Sequence, residues 1–128
     1  MTDYLLTRGD TLLVPVQVLA VPSGLPPDSQ PQIVDITGWK LWFTVKKYLA
    51  DPDSLAVFQG TTVSGDVVIT AATSGKALCT MPAISTRALP DGVTRLIYDV
   101  QGKDLTGIIS TVERGVITVT PDVTRAIT

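Results

Sequence analysis

From Trp39 to Tyr48, apolar Trp39, Leu41, Phe43 and Val45 alternate with Lys40, Trp42, Thr44 and Lys46, the period of two that marks a strand with one buried face. The alternation returns where Leu96, Tyr98 and Val100 interleave with Arg95, Ile97 and Asp99. Two such segments predict an antiparallel β protein whose sheets stack around a shared core containing Phe43 and Leu96. The same pleat sends Trp42 to the opposite face, where a large aromatic needs cover.

The rest of the chain divides at its turn residues. Arg8-Gly9-Asp10 turns into a first long strand over Thr11 to Ala20, and Pro15, which has no N–H to donate, places that strand at an edge or a bulge. Pro22 to Pro31 carries four of the nine prolines and predicts an exposed loop able to act as a docking arm. Ile33 to Gly38 leads into the strand at Trp39. Ala50-Asp51-Pro52-Asp53 then turns the chain, and a short strand over Ala56 to Gln59 pairs back. Val67 to Thr70 and Lys76 to Met81 continue as a meander. Ser85 to Leu89, between Pro82 and Pro90, predicts one helical turn capped by Ser85. Pro90-Asp91-Gly92 turns into a strand over Val93 to Gln101, and Ile108 to Val112 with Val116 to Thr120 predict a last strand bulged at Gly115. With about seven to eight strands, at most one short helical turn and no internal repeat, the pattern predicts a single all-β sandwich over residues 1–128.

Composition narrows the function. The 128 residues are 45% hydrophobic and 17% charged, with a formal charge of -2, so the chain can bury a core and shows no broad cationic field for phosphate. Nucleic acid is not an expected partner. No apolar run approaches the roughly 20 residues that cross a bilayer, and Met1 to Gly9 lacks the pattern of a signal peptide. No membrane partner is expected, and synthesis without export is. Cys79 is the single cysteine and there is no histidine. Disulfides within the chain, Ser-His-Asp and Cys-His arrangements and histidine metal sites are thereby excluded, and Cys79, set among apolar residues, reads as an inert core thiol suited to a reducing cytoplasm. Asp51 and Asp53 flank Pro52 and read as a solvated turn rather than an acidic pair or a calcium loop. No catalytic residue, cofactor or metal is expected. Arg8-Gly9-Asp10 spells an adhesion tripeptide, but its glycine and aspartate more simply supply turn chemistry. For Trp42 two readings stand: cover by a loop of the same chain, such as 22–31, or a contact between subunits, where tryptophan is enriched.

Four segments in order carry a family resemblance: Arg8-Gly9-Asp10-Thr11, then Val34-Asp35-Ile36-Thr37-Gly38 before the Trp39 strand, then Leu89-Pro90-Asp91-Gly92 before Arg95 to Val100, and finally Gly115 to Thr124. Together they resemble the immunoglobulin-like domain of structural proteins of tailed bacteriophages, especially the N-terminal domain of upper baseplate proteins and related small tail or head proteins. The resemblance implies an immunoglobulin-like sandwich with no enzymatic role. It implies a virion protein assembled in the bacterial host cytoplasm, binding other virion proteins and copies of itself in a symmetric assembly. Two features depart from the family: Ala20 to Gln32 is long and proline-rich, and no fibre-forming segment follows the last strand before Thr128. These point to a head decoration, collar, connector or small tail component. Candidate contact residues are Trp42, Leu25, Pro26 and Pro27 in the loop, Tyr4 in the segment Thr2 to Leu6, and Ile127 in the exit segment Asp122 to Thr128. The alternative is a sandwich that binds glycans or a host surface through exposed aromatics and amides on a concave face.

Overall fold

Period-two patterning asks each strand to bury one face, and two sheets satisfy it by packing on each other. The computed structural model describes residues 2–21, 24–48, 50–89 and 92–121. Its strands are β1 (Thr2–Thr7), β2 (Leu12–Gln17), β3 (Leu19–Ala20), β4 (Gln32–Ile33), β5 (Lys40–Lys46), β6 (Phe58–Thr61), β7 (Val67–Ala71), β8 (Lys76–Met81), β9 (Arg95–Lys103) and β10 (Ile109–Thr120), with one short helix, α1 (Ala83–Arg87), between β8 and β9. One sheet runs in the order β1-β10-β9-β5-β6 and the other β2-β8-β7, while β3 and β4 form a separate two-stranded ribbon. The fold is an all-β, immunoglobulin-like sandwich of eight strands in two layers. Its one parallel pair among the described residues is β1 on β10, with Thr2 opposite Gly115 and Thr7 opposite Thr120.

Phe43, Val45, Leu96, Val100 and Ile117 from the five-stranded sheet meet Val14, Val67, Cys79 and Met81 from the three-stranded one in a single core, each almost wholly removed from water. Burying a side chain of this size stabilises by roughly 1.5–3 kcal/mol. A line of edge-to-face aromatics crosses the inner side of the larger sheet. Tyr4 meets Tyr98 with ring centroids 5.7 Å apart, Tyr98 meets Phe43 at 5.8 Å, and Phe43 meets Phe58 at 6.1 Å. Gly115 lies opposite Tyr98 on β10, the strand between β1 and β9, and puts no side chain into the space where the two tyrosines meet.

Several elements differ from the sequence expectations, each for a local reason. Thr2 to Leu6, expected as a docking segment, is part of β1, because Tyr4 and Leu6 supply a period-two inward face beside β10. The first long strand breaks at Val18, whose N–H donates to the carbonyl of Gly75. Pro15 lies in β2 at the edge of the smaller sheet, where its missing N–H costs no ladder bond. The short strand after the Asp51 turn begins at Phe58 rather than Ala56, since Asp53–Leu55 forms a 3₁₀ turn, and Ala72–Ser74 forms a second between β7 and β8. Helix α1 begins at Ala83 with Pro82 as N-cap and no side-chain cap bond, so Ser85 lies inside the helix and does not cap it. The bulge in β10 falls between Thr111 and Glu113, at Val112, rather than at Gly115.

Candidate functional site

Strand register builds one face that the linear sequence disperses. In the five-stranded sheet Thr44 pairs with Asp99 and Lys46 with Ile97, while Asp99 pairs with Arg114 and Ile97 with Val116. The outward row Thr44-Asp99-Arg114 therefore lies beside the row Lys46-Ile97-Val116 on the side of the sheet away from the core. A groove of about 620 Å³ opens here, with Lys46, Lys47, Arg95 and Arg114 at its sides, Tyr48 at one end and Ile97 and Val116 in its floor. Its lining sets four cations against the carboxylate of Asp99, and Asp3, opposite Val116 on β1, adds a second carboxylate at its margin, which leaves the cations in excess. The Nζ of Lys46 also donates to the carbonyl of Asp51 at 2.8 Å. In a chain of net charge -2 this is a local concentration of positive charge.

A second groove of about 370 Å³ adjoins the first, sharing Thr44, Lys46 and Asp99 and adding Trp42, Gln59, Gln101 and Ile109. Trp42 faces outward from β5 and is half-buried among these neighbours. Gln59 holds its amide by donating from Nε2 to the Thr44 hydroxyl at 3.1 Å. Both grooves lie on the outer face of the five-stranded sheet, with two aromatics, two amides and four cations between them. The arrangement can receive an elongated ligand carrying negative charge.

Other sequence-selected residues lie elsewhere. Tyr4 points inward and packs on Tyr98, and burial raises its phenol pKa above the ordinary value, with the Glu113 charge adding to the shift. Leu25, Pro26 and Pro27 are exposed in the loop between the ribbon strands, where Ser29 N–H donates to the Pro26 carbonyl. They do not join Trp42 in the grooves. Ile127 and the segment 122–128 lie outside the described residues. The Arg8-Gly9-Asp10 turn is held from within the chain. Gly9 N–H donates to Thr86 Oγ1 at 3.1 Å, and that hydroxyl donates to the Asp10 carbonyl at 2.7 Å.

Sequence reasoning missed three features. The basic groove escaped it because Lys46, Arg95 and Arg114 are far apart along the chain and meet only through register. The turn Asp35-Ile36-Thr37-Gly38 has a twin in Asp104-Leu105-Thr106-Gly107: in each, an aspartate Oδ1 accepts from the threonine N–H and hydroxyl two residues on, which holds both carboxyls below their ordinary pKa. The two turns touch, since a Cβ placed on Gly38 would lie 2.9 Å from Leu105 Cδ2. The recurring four residues were the available signal. Glu113 is the third: the bulge at Val112 turns it inward, where Tyr98 donates its hydroxyl to Oε2 at 3.1 Å. Near it, burial first and the Glu113 charge second push the Cys79 thiol up to about 12.

Among the described residues no group of three or more Cys, Asp or Glu side chains is placed to hold a metal ion, and no helix is long and apolar enough to cross a membrane. Comparison with protein-family models and with curated proteins found no match to this chain.

Proposed function

We propose that this protein is a non-enzymatic structural component of a tailed-phage particle, working by surface complementarity as a head decoration, collar, connector or small tail or baseplate part. Its partners on this reading are other virion proteins and further copies of itself, and its location is the virion, after assembly in the host cytoplasm. The observation that carries the reading is the grooved outer face of the five-stranded sheet, which presents Trp42, Tyr48, Arg95 and Arg114. These are the side-chain types that dominate the energetics of protein interfaces. The order of turn and strand segments that resembles phage immunoglobulin-like domains supports the placement in a particle. Symmetric assembly multiplies such contacts, so a modest interface on each copy suffices.

The test adds purified protein to phage particles that lack it and follows occupancy by electron microscopy and mass spectrometry. Binding at a defined position on head, collar or tail, weakened by Trp42→Ala, is the expected result. Particles that never take up the protein would sink the proposal.

A second reading is favoured by one specific observation, the grouping of Trp42 with the amides of Gln59 and Gln101 in one groove. An aromatic plane flanked by amide donors and acceptors suits a sugar ring, which makes a glycan- or host-surface-binding module the alternative. Selective binding on a glycan array that Trp42→Ala abolishes would favour it.

A further inference from the structure

We infer that the larger groove is a docking site for an extended, carboxylate-rich segment of a partner polypeptide. The inference rests on the reading of this protein as a protein-binding module and names the chemistry its partner presents. The groove's charge is the first ground. Arg95 on β9, Arg114 on β10 and Lys46 and Lys47 at the end of β5 reach one groove from three strands, with Arg114 opposite Asp99, and a surface with an excess of cations attracts an acidic partner and repels a basic one. Arginine adds geometry, because its fork meets a carboxylate with two parallel bonds.

The floor is the second ground. Ile97 and Val116 lie side by side, with Arg95 and Arg114 two residues from them along β9 and β10 and Lys46 opposite Ile97 on β5, so an aliphatic floor and basic side chains share one groove. An extended chain sends successive side chains to opposite sides. A segment alternating acidic and small apolar residues could meet both the charges and the floor. Sugar hydroxyls gain little from an aliphatic floor. A nucleic-acid strand carries phosphate at every step and would set one of them against Asp99.

The experiment measures fluorescence anisotropy of a labelled Gly-Ser-Glu-Val-Glu-Val-Glu-Ser-Gly peptide titrated with the intact protein. Parallel titrations use an oligogalacturonate and an oligothymidylate. Binding of the peptide that falls steeply between about 50 and about 300 mM salt is expected. Arg95→Glu combined with Arg114→Glu should weaken it by at least about tenfold. Lys76→Glu, which reverses an exposed cation on β8 in the other sheet, should leave it within about twofold, and each variant is checked for an unchanged circular dichroism spectrum. Absence of peptide binding, tighter binding of the oligogalacturonate or the oligothymidylate, or equal losses in the β8 and groove variants would each overturn the inference. Particle uptake without peptide binding would remove the groove assignment alone, whereas peptide binding without particle uptake would remove the virion role and leave the groove.

Discussion

Replacing Thr86 with valine tests whether α1 holds the Arg8-Gly9-Asp10 turn through one hydroxyl. Thr86 is wholly buried, and valine nearly matches its shape, so the substitution removes hydrogen bonding with little change in packing. Three backbone groups then lose a partner: the Gly9 N–H, 3.1 Å from Oγ1, and the carbonyls of Asp10 and Ala83, 2.7 and 3.1 Å away, which share the hydroxyl hydrogen. Each stranded buried group costs about 1–3 kcal/mol. Asp10 lies at the exposed end of the turn, where water can replace its lost donor, so the sum falls near the low end, at about 2 kcal/mol. Thr86→Ser keeps the hydroxyl and removes a methyl, costing about 1 kcal/mol. Urea unfolding followed by tryptophan fluorescence separates the two, with the valine midpoint lower than wild type by roughly 1 M and the serine midpoint by about half that. Hydrogen exchange supplies a local readout, since the Gly9 amide should lose protection in Thr86→Val and keep it in Thr86→Ser. A valine variant as stable as the serine variant would refute the hydroxyl's role.

Three further outcomes follow from the same packing. Leu96→Asp puts a charge at a fully buried position and should abolish soluble expression, whereas Lys46→Asp, on the outer face, should leave the circular dichroism spectrum unchanged; equal tolerance of both would invert the face assignment. Cys79 is buried, and burial pushes its thiol pKa up from the ordinary 9.0 to about 12, so the folded state holds the proton more tightly than the unfolded one and the linked stability, complete below pH 9, declines as pH rises toward 12. Cys79→Ala should flatten that part of the alkaline stability curve, and the wild-type thiol should resist alkylating reagents until urea unfolds the chain. Gly75→Ala forces a side chain onto a backbone with φ of +68°, 2.6 Å from the Val34 carbonyl and 2.9 Å from that of Val18; a thermal midpoint lowered by the equivalent of more than about 2 kcal/mol is expected, and an unchanged midpoint would show that the chain relaxes there freely.

The strands most legible in the sequence are those that bury one face against a continuous core. β5 and β9 announce themselves because Leu41, Phe43, Val45, Leu96, Tyr98 and Val100 alternate without interruption, and β7 and β8 are bounded by clear turn residues. β1 was harder because Thr2 to Thr7 offers only Tyr4 and Leu6 inward, and its partner β10 is more than a hundred positions away along the chain. The bulge was misplaced because glycine is the usual mark of irregularity in a strand, yet Gly115 keeps regular pairing and Val112 takes the extra position. Trp42 was recognised from the pleat alone. The cations of the adjoining groove are not legible in this way, because charge scattered along a sequence becomes a field only after register has set the strands side by side.

The placement of β10 between β1 and β9 bears on how the chain matures. Thr2 to Thr7 are the first of the sheet's residues to leave the ribosome, and their partners Gly115 to Thr120 are the last. Until then β1 has nothing to pair with and the tyrosine pair above Gly115 has no seat. Closure of the larger sheet thus waits on a contact of nearly maximal loop length, which slows folding and leaves early strands unpaired in the meantime. Nascent chains stalled before residue 115 should present an open edge to chaperones, whereas release of the final strand zips both ends together in one step.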